Sequence, residues 1–247
     1  MDTKDLFYSK KHCFTISEVD TARRARPSAM LCLTQDIAGE HFESFGAGPA
    51  TSRDRSLMWI ITRLQMEVER MPQYMETVTL ETWTGKMSHG MFRRHFRFAD
   101  GEGNTLVRAS SVWALMRAAD RGLVTDPAQY GVDVPAYPGE GELAVPSKPR
   151  LPELTESTGR FARYSELDMN GHLNNTRYLD WTDDLLSREF HESHELEHFS
   201  IHYRSEIRGG VEAELRWALT GEGLLACRGF VDGAEAFTVT QRYREKA

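Results

Sequence analysis

The chain carries one pattern twice, and such a repeat restricts it to folds built from two like halves. The tetrapeptide Ser17-Glu18-Val19-Asp20, at the end of FTISEVD, returns as Ser165-Glu166-Leu167-Asp168 at the end of FARYSELD. Each copy reads as the end of a strand that leads into an amphipathic helix. After the first copy, Pro27 and Ser28 open a helix, and Met30, Leu33, Ile37 and Phe45 recur on one face with Leu31, Ala38 and Phe42 beside them, up to a stop at Gly46. After the second, Asn174 or Asn175 caps a helix whose stripe is Tyr178, Trp181 and Leu185, widened by Leu179 and Leu186. These apolar stripes are read as core packing.

Each helix is followed by segments of period two. Residues 63–69 (RLQMEVE) and 201–208 (IHYRSEIR) alternate polar and apolar side chains, which argues for antiparallel strands with unlike faces. Further strands are expected over 77–83, 92–98 and 106–116, with a turn at Asp100–Asn104. In the second half Ala213, Leu215, Trp217 and Leu219 share a face, and Asp232-Gly233 turns a hairpin before Phe237, Val239 and Gln241. Between the halves the periodicity is lost where Pro127, Pro135, Pro138, Pro146, Pro149 and Pro152 cluster, the signature of a linker running over a surface. Strand, long helix and several antiparallel strands, repeated, predict an α+β double hotdog, in which each half wraps a curved antiparallel sheet around a long helix. The expected division is an N-terminal domain over 1–128, a linker over 129–156 and a C-terminal domain over 157–247.

With 247 residues the chain can bury a substantial core, and a net charge of −7 makes it a poor generic partner for nucleic acid or anionic lipid. Cys13, Cys32 and Cys227 lie far apart without metal-ligand spacing, so they are expected as small buried hydrophobes in a reducing compartment. The start, Met-Asp-Thr-Lys-Asp, lacks the basic and apolar runs of a signal peptide, and no apolar stretch approaches the ~18 residues of a membrane span. A cytoplasmic location is the resulting expectation.

The densest polar cluster is Asp168-Met169-Asn170-Gly171-His172-Leu173-Asn174-Asn175. At a strand-to-helix junction it would offer unpaired backbone N–H groups and the positive end of a helix dipole to a carbonyl developing negative charge. Asn170 supplies an amide donor, histidine is the side chain suited to moving a proton near neutrality, and Asp168 can hold the turn or orient a neighbour. The first copy is an internal control: Asp20 persists there, but Ala22 and Arg24 stand where Asn170 and His172 stand in the second. One reactive site is therefore expected. Glu206 is a second candidate, expected on a strand face with His202, Arg204 and Arg208 and resembling Glu67 of the first half. No G-x-S-x-G nucleophile motif and no Gly-rich phosphate loop occurs. His191, His194 and His198 lie in a Glu-rich stretch read as an exposed loop, not a metal site.

On these segments the chain resembles the acyl-acyl carrier protein thioesterases, a family of plant plastids and bacteria. LDMNGHLNNTRYLDW (167–181) resembles the family's D-x-N-x-H-x-N-N-x-x-Y block, and RASSVWALM (108–116), WIITRLQMEVERMP (59–72) with ETVTLETWTG after it, and IHYRSEI (201–207) match in the family's order. The resemblance implies a double hotdog with an acyl-chain tunnel in the N-terminal half and catalysis in the C-terminal half. It implies that Asp168, Asn170, His172 and Glu206 are catalytic, and that no metal or cofactor is needed. Many plant members carry Cys directly after the strand Glu; Ile207 stands there here, so an acyl-enzyme through that position is excluded. The implied partner is acyl carrier protein bearing a phosphopantetheine-linked fatty acyl chain in fatty acid biosynthesis, with no nucleic acid and no membrane, and the protein a monomer or homodimer. Arg93, Arg94 and Arg97, or Arg23, Arg24 and Arg26, are candidates to dock an acidic carrier. The rival readings are an acyl-CoA thioesterase, a hotdog hydratase or dehydratase, and a non-enzymatic acyl-chain binding protein.

Overall fold

The computed structural model describes residues 6–139 and 143–246. Its ten strands form one antiparallel sheet: β1 (Phe7–Cys13), β2 (Leu57–Val68), β3 (Thr77–Thr84), β4 (Met91–Ala99), β5 (Thr105–Arg117), β6 (Glu156–Phe161), β7 (His194–Tyr203), β8 (Glu212–Leu219), β9 (Leu224–Val231) and β10 (Ala234–Glu245). The order across the sheet is β1-β3-β4-β5-β2-β7-β10-β9-β8-β6. The first five strands in sequence thus lie to one side, the last five to the other, and β2 joins β7 in the middle with Arg63 opposite His202 and Glu67 opposite His198. The α-helices among the described residues are α1 (Pro27–Ser44), α2 (Pro49–Asp54), α3 (Arg177–Asp183) and α4 (Arg188–Ser193).

The elements follow from side-chain pattern. In β2 a register shift falls between Ile61 and Arg63, and beyond it Leu64, Met66 and Val68 alternate into the core. Pro27 occupies the first turn of α1, where its missing N–H costs nothing, and Gly46, at φ +65°, ends it. Met30, Leu33, Ile37, Ala38 and Phe42 of α1 are buried, and α1 packs on α3. The fully buried Ile37 alone removes apolar surface equivalent to about 1.5–3 kcal/mol from water. The Asp232-Gly233 hairpin has both residues at positive φ, the conformation a two-residue turn between twisted strands requires.

Several expectations are corrected. The Ser-Glu-Val-Asp and Ser-Glu-Leu-Asp copies are not strand ends but single 3₁₀ turns, Ile16–Glu18 and Tyr164–Glu166, placed after the polar edge strands β1 and β6. The second helix is not long: α3 has seven residues, and the chain breaks at Asp184 before α4. The Asp183 side chain is held inside by Gln241 Nε2–H (2.6 Å) and Tyr243 O–H (3.2 Å), and the Ser187 hydroxyl accepts from Phe190 N–H to start α4 afresh. The His191–His198 stretch is not an exposed loop; it forms α4 and the first half of β7. The alternation of 201–208 is only partly strand. The ladder ends at Tyr203, because Arg204 N–H and Ser205 N–H both turn to the Ala236 carbonyl (2.8 and 3.1 Å). Ala144 of the proline-rich segment lies against the sheet, its carbonyl accepting from Gln65 Nε2–H of β2 and Ser110 O–H of β5, both at 2.6 Å.

Candidate active site

The loop Asp168–Leu173 is closed by its own aspartate. Asp168 Oδ1 accepts the backbone N–H groups of Asn170 (2.8 Å) and His172 (3.1 Å), its carbonyl accepts Gly171 N–H (3.1 Å), and its N–H donates to the His172 carbonyl (2.7 Å). Gly171 sits at φ +78°, a left-handed conformation that glycine adopts without a Cβ penalty. The 3₁₀ turn beneath is held by Glu166, which accepts Arg163 N–H (2.8 Å) and the indole N–H of the fully buried Trp181 (2.8 Å). Burial alone would raise the Glu166 carboxyl, but these hydrogen bonds and Arg160 hold it below the usual carboxylate range.

Two contacts bring the second candidate to this loop. Leu173 N–H donates to the Ile207 carbonyl (2.7 Å), and Gly209 N–H donates to the Gly171 carbonyl (3.1 Å), so the segment after β7 lies alongside. The Tyr178 hydroxyl adds a hydrogen bond with the Ile207 backbone. His172 Nε2 then stands 3.5 Å from Glu206 Oε2. The same oxygen is 2.7 Å from Arg121 Nη1, a residue of the first half that sequence reasoning missed. Arg121 lies in the turn after β5 at φ +55°, outside every periodic segment, so no pattern marked it. Glu206 is therefore a loop residue and not a strand residue.

The expected roles shift accordingly. Asp168 binds backbone amides and makes no hydrogen bond to the Asn170 or His172 side chain. The helix N-terminus does not supply free donors at the loop either: α3 begins only at Arg177. The amides of 170, 171 and 172 are committed to Asp168, that of Leu173 to Ile207, and that of Asn174 to the Glu166 carbonyl (2.9 Å). The exposed Asn170 side chain makes no hydrogen bond among the described residues and is the free donor. Asn174 turns the chain rather than capping the helix, its Oδ1 accepting Thr176 N–H (3.0 Å).

The first half reproduces this architecture with other side chains. Asp20 Oδ1 accepts Ala22 N–H (2.8 Å) and Arg24 N–H (2.9 Å), and Arg23 takes the left-handed position of Gly171 at φ +64°. Ala25 N–H donates to the Pro72 carbonyl (2.8 Å) and Tyr74 N–H to the Arg23 carbonyl (2.8 Å), matching the Leu173–Ile207 and Gly209–Gly171 bonds. The bridge Arg24–Gln73 likewise matches His172–Arg208. By this register the counterpart of Glu206 is Met71, not Glu67. Asn170, His172 and Glu206 are thus replaced as a set by Ala22, Arg24 and Met71, while the loop-holding aspartate is kept.

With this geometry in place, similarity to known proteins decides the family. Models of the acyl-ACP thioesterase N-terminal and C-terminal domains match residues 5–127 and 153–228. The chain belongs to the acyl-ACP thioesterase family. It is 31% identical over 216 residues to a palmitoyl-acyl carrier protein thioesterase of Gossypium hirsutum, covering 81% of this chain and 52% of that protein. The chain spans about half the length of the curated relatives it matches. A 12:0-ACP thioesterase from Umbellularia californica has the same fold at TM-score 0.83 and 25% identity, covering 98% of both chains. An acyl-ACP thioesterase from Bacteroides thetaiotaomicron aligns at TM-score 0.85 and 23% identity, over 99% of this chain and all of that one, which shows the shared hotdog fold.

Other polar candidates of this family member separate by burial. Arg94 is fully buried over the Phe42 ring (4.0 Å) and beside His41 Nδ1 (3.1 Å), so it cannot dock a carrier; burial pulls its guanidinium down to about 9. Arg24 faces the second half, donating to the carbonyls of His194 (2.8 Å) and His191 (2.7 Å). Arg97 pairs with Glu81 (2.6 Å), whereas Arg93, Arg23 and Arg26 are exposed. Among the described residues no three His, Cys, Asp or Glu side chains converge as a metal site would need. None of the helices described is long and apolar enough to cross a membrane.

Proposed function

We propose that this protein hydrolyses the thioester of a fatty acyl chain carried on acyl carrier protein, releasing free fatty acid and ending chain elongation. The observation that carries the reading is the pairing of His172 with Glu206 at 3.5 Å, in the same loop as the unbonded side-chain amide of Asn170 and in one of two otherwise matching loops. Glu206 and His172 hold a water and take its proton as its oxygen attacks the acyl carbon. The Asn170 amide donates to the carbonyl oxygen as charge develops there. The C–S bond then breaks, the sulfur leaves on the phosphopantetheine arm as thiolate and takes up the proton held by the pair, and the acid gives its remaining proton to solvent and departs as carboxylate. A thiolate is a good leaving group, so the step needs no strong general acid. Asp168 fixes the loop, and Arg121 brings the first half to the reacting carboxylate.

The division into domains 1–128 and 157–247 around a linker at 129–156, with an acyl tunnel in the first and catalysis in the second, belongs to this proposal. So do a cytoplasmic location, although the plant relative is named chloroplastic, and action as a monomer or homodimer away from nucleic acid and membrane. One relative is named for palmitoyl and another for 12:0 substrates, so chain length is left unassigned. The test is steady-state hydrolysis of one saturated acyl chain presented on carrier protein and on coenzyme A. Faster release from the carrier supports the proposal. Release from coenzyme A alone would replace it with an acyl-CoA thioesterase, and release from neither would refute hydrolysis.

A further inference from the structure

A cavity of about 410 Å³ lies not at the His172–Glu206 pair but around the matching loop of the first half. It lies between Asp20–Pro27 and the α3–α4–β7 segment of the second half, with Tyr243 and Arg244 of β10 completing the wall. Its size falls within the range of small-molecule sites. We propose that this cavity is a second, non-hydrolytic binding site for an amphipathic carboxylate such as a medium-chain fatty acid.

The chemistry of the walls supports that ligand. With Ala22, Arg24 and Met71 in place of the reactive set, nothing in this loop can cleave what binds. Arg24 is fixed to Asp20 and to two carbonyls across the halves, so it serves as a wall rather than a mobile plug. Met71, Leu186, Leu196 and Tyr243 offer apolar surface for an alkyl chain. The acids that line the cavity each have a partner: Asp20 has Arg24, Asp184 has Arg160 (2.6 Å) and Glu195 has Arg244 (3.2 Å). Asp183 is bonded by Gln241 and Tyr243, and burial pushes its carboxyl up to about 6. Two of the lining arginines are likewise matched, Arg70 with Glu76 (2.6 Å) and Arg188 with Glu192 (2.7 Å). Arg26 is the exception. Its Nε–H donates to the Val19 carbonyl (3.0 Å), and no carboxylate pairs with it among the described residues. It stands at the start of the 18-residue helix α1, whose positive end adds to the attraction for an anionic head group. An amphipathic anion satisfies both the unpaired cation and the apolar wall.

That such an acid is also the reaction product rests on the thioesterase reading; the binding site does not. The experiment is calorimetric titration of the full chain with sodium dodecanoate below its micelle concentration, in wild type, Arg26→Glu and Thr21→Trp, the last placing an indole on an exposed lining residue. Each variant is first checked for an unchanged unfolding midpoint. The expected result is a binding event weakened at least tenfold in Arg26→Glu and lost in Thr21→Trp. Dodecanoate binding that is absent, or identical in all three proteins, overturns the proposal. Coenzyme A binding at Arg26 without dodecanoate binding overturns the carboxylate assignment. Failure of the thioesterase reading shows separately, as dodecanoate binding of the expected pattern in a wild-type protein that releases no acyl chain from carrier.

Discussion

Replacing Asp168 by Ala and, separately, Asp20 by Ala compares the same bond network in a loop proposed to react and in one that cannot. Asp168→Ala removes a carboxylate oxygen that accepts two backbone N–H groups, at 2.8 and 3.1 Å. Hydrogen bonds to charged groups contribute about 1.5–3 kcal/mol each when buried, and partial exposure of Asp168 lowers the pair to about 2 kcal/mol in total. For a chain of this size that is a fall of about 4–8 °C in unfolding midpoint. Asp20→Ala removes the same two bonds and also the Arg24 ion pair at 2.9 Å, so its cost is larger, about 3 kcal/mol. Turnover separates the two. Misplacing reacting groups by about an ångström costs on the order of 10²-fold, so Asp168→Ala should lose that much activity and Asp20→Ala no more than about threefold. Asp168→Asn keeps an Oδ1 acceptor and should recover part of both losses. The assay is thermal or urea unfolding alongside steady-state hydrolysis. If Asp168→Ala leaves stability within about 0.5 kcal/mol of wild type but abolishes turnover, Asp168 acts on the substrate and does not hold the loop backbone.

Other expectations are narrower. The Arg121–Glu206 pair is partly exposed, with side chains 54% and 32% accessible, so Arg121→Gln should lower stability by less than about 1 kcal/mol and change turnover by less than about threefold; a tenfold loss would place Arg121 in the chemistry itself. Burial raises Asp183 from the ordinary aspartate range to about 6, so the neutral carboxyl is favoured by folding. Its contribution to stability is therefore fully present below about 4 and is lost as pH rises through about 6. Asp183→Asn should be more stable than wild type at pH 7.5, by an amount on the order of 1–3 kcal/mol, and lose that advantage near pH 4 in urea unfolding; a pH-independent difference would contradict it. Of the three cysteines expected to be buried only Cys227 is, its thiol pushed up to about 12, whereas Cys13 lies exposed at the end of an edge strand, so an aromatic disulfide reagent should titrate Cys13 in the native protein and Cys227 only after denaturation.

What the sequence made legible was set by which forces leave a periodic trace. Leu64, Met66 and Val68 alternate because one face of β2 is buried, and Met30, Leu33 and Ile37 repeat because one face of α1 is buried, so both elements were readable. The edge strands β1 and β6 were not. FYSKKHC and ESTGRF pair on one side only and bury little, so hydrogen bonding fixes them without an apolar signature. Glu206 was identified but assigned to a strand, because the buried Ile207 continues the alternation after the ladder has turned to Ala236. The spacing that predicts a long second helix misleads for a similar reason. Leu185 and Leu186 keep helical spacing, but Asp183 is drawn inward by residues of β10 that only the fold brings near. Of the site, the loop residues were visible through the imperfect repeat, since Asp20 matched and Ala22 and Arg24 did not. Arg121 became visible only through its contact with Glu206, and Met71 only through long-range register, neither of which a local pattern encodes.

The central claim is that His172 and Glu206 do chemistry that their counterparts Arg24 and Met71 cannot. It is tested most directly by the rate of free thiol release from acyl carrier protein bearing one saturated chain, in wild type, His172→Gln and Glu206→Gln. Each variant should retain the wild-type unfolding midpoint within a few degrees and lose on the order of 10²–10⁴ in turnover, the range expected for removal of an acid–base group. Wild-type turnover in both folded variants would contradict the assignment.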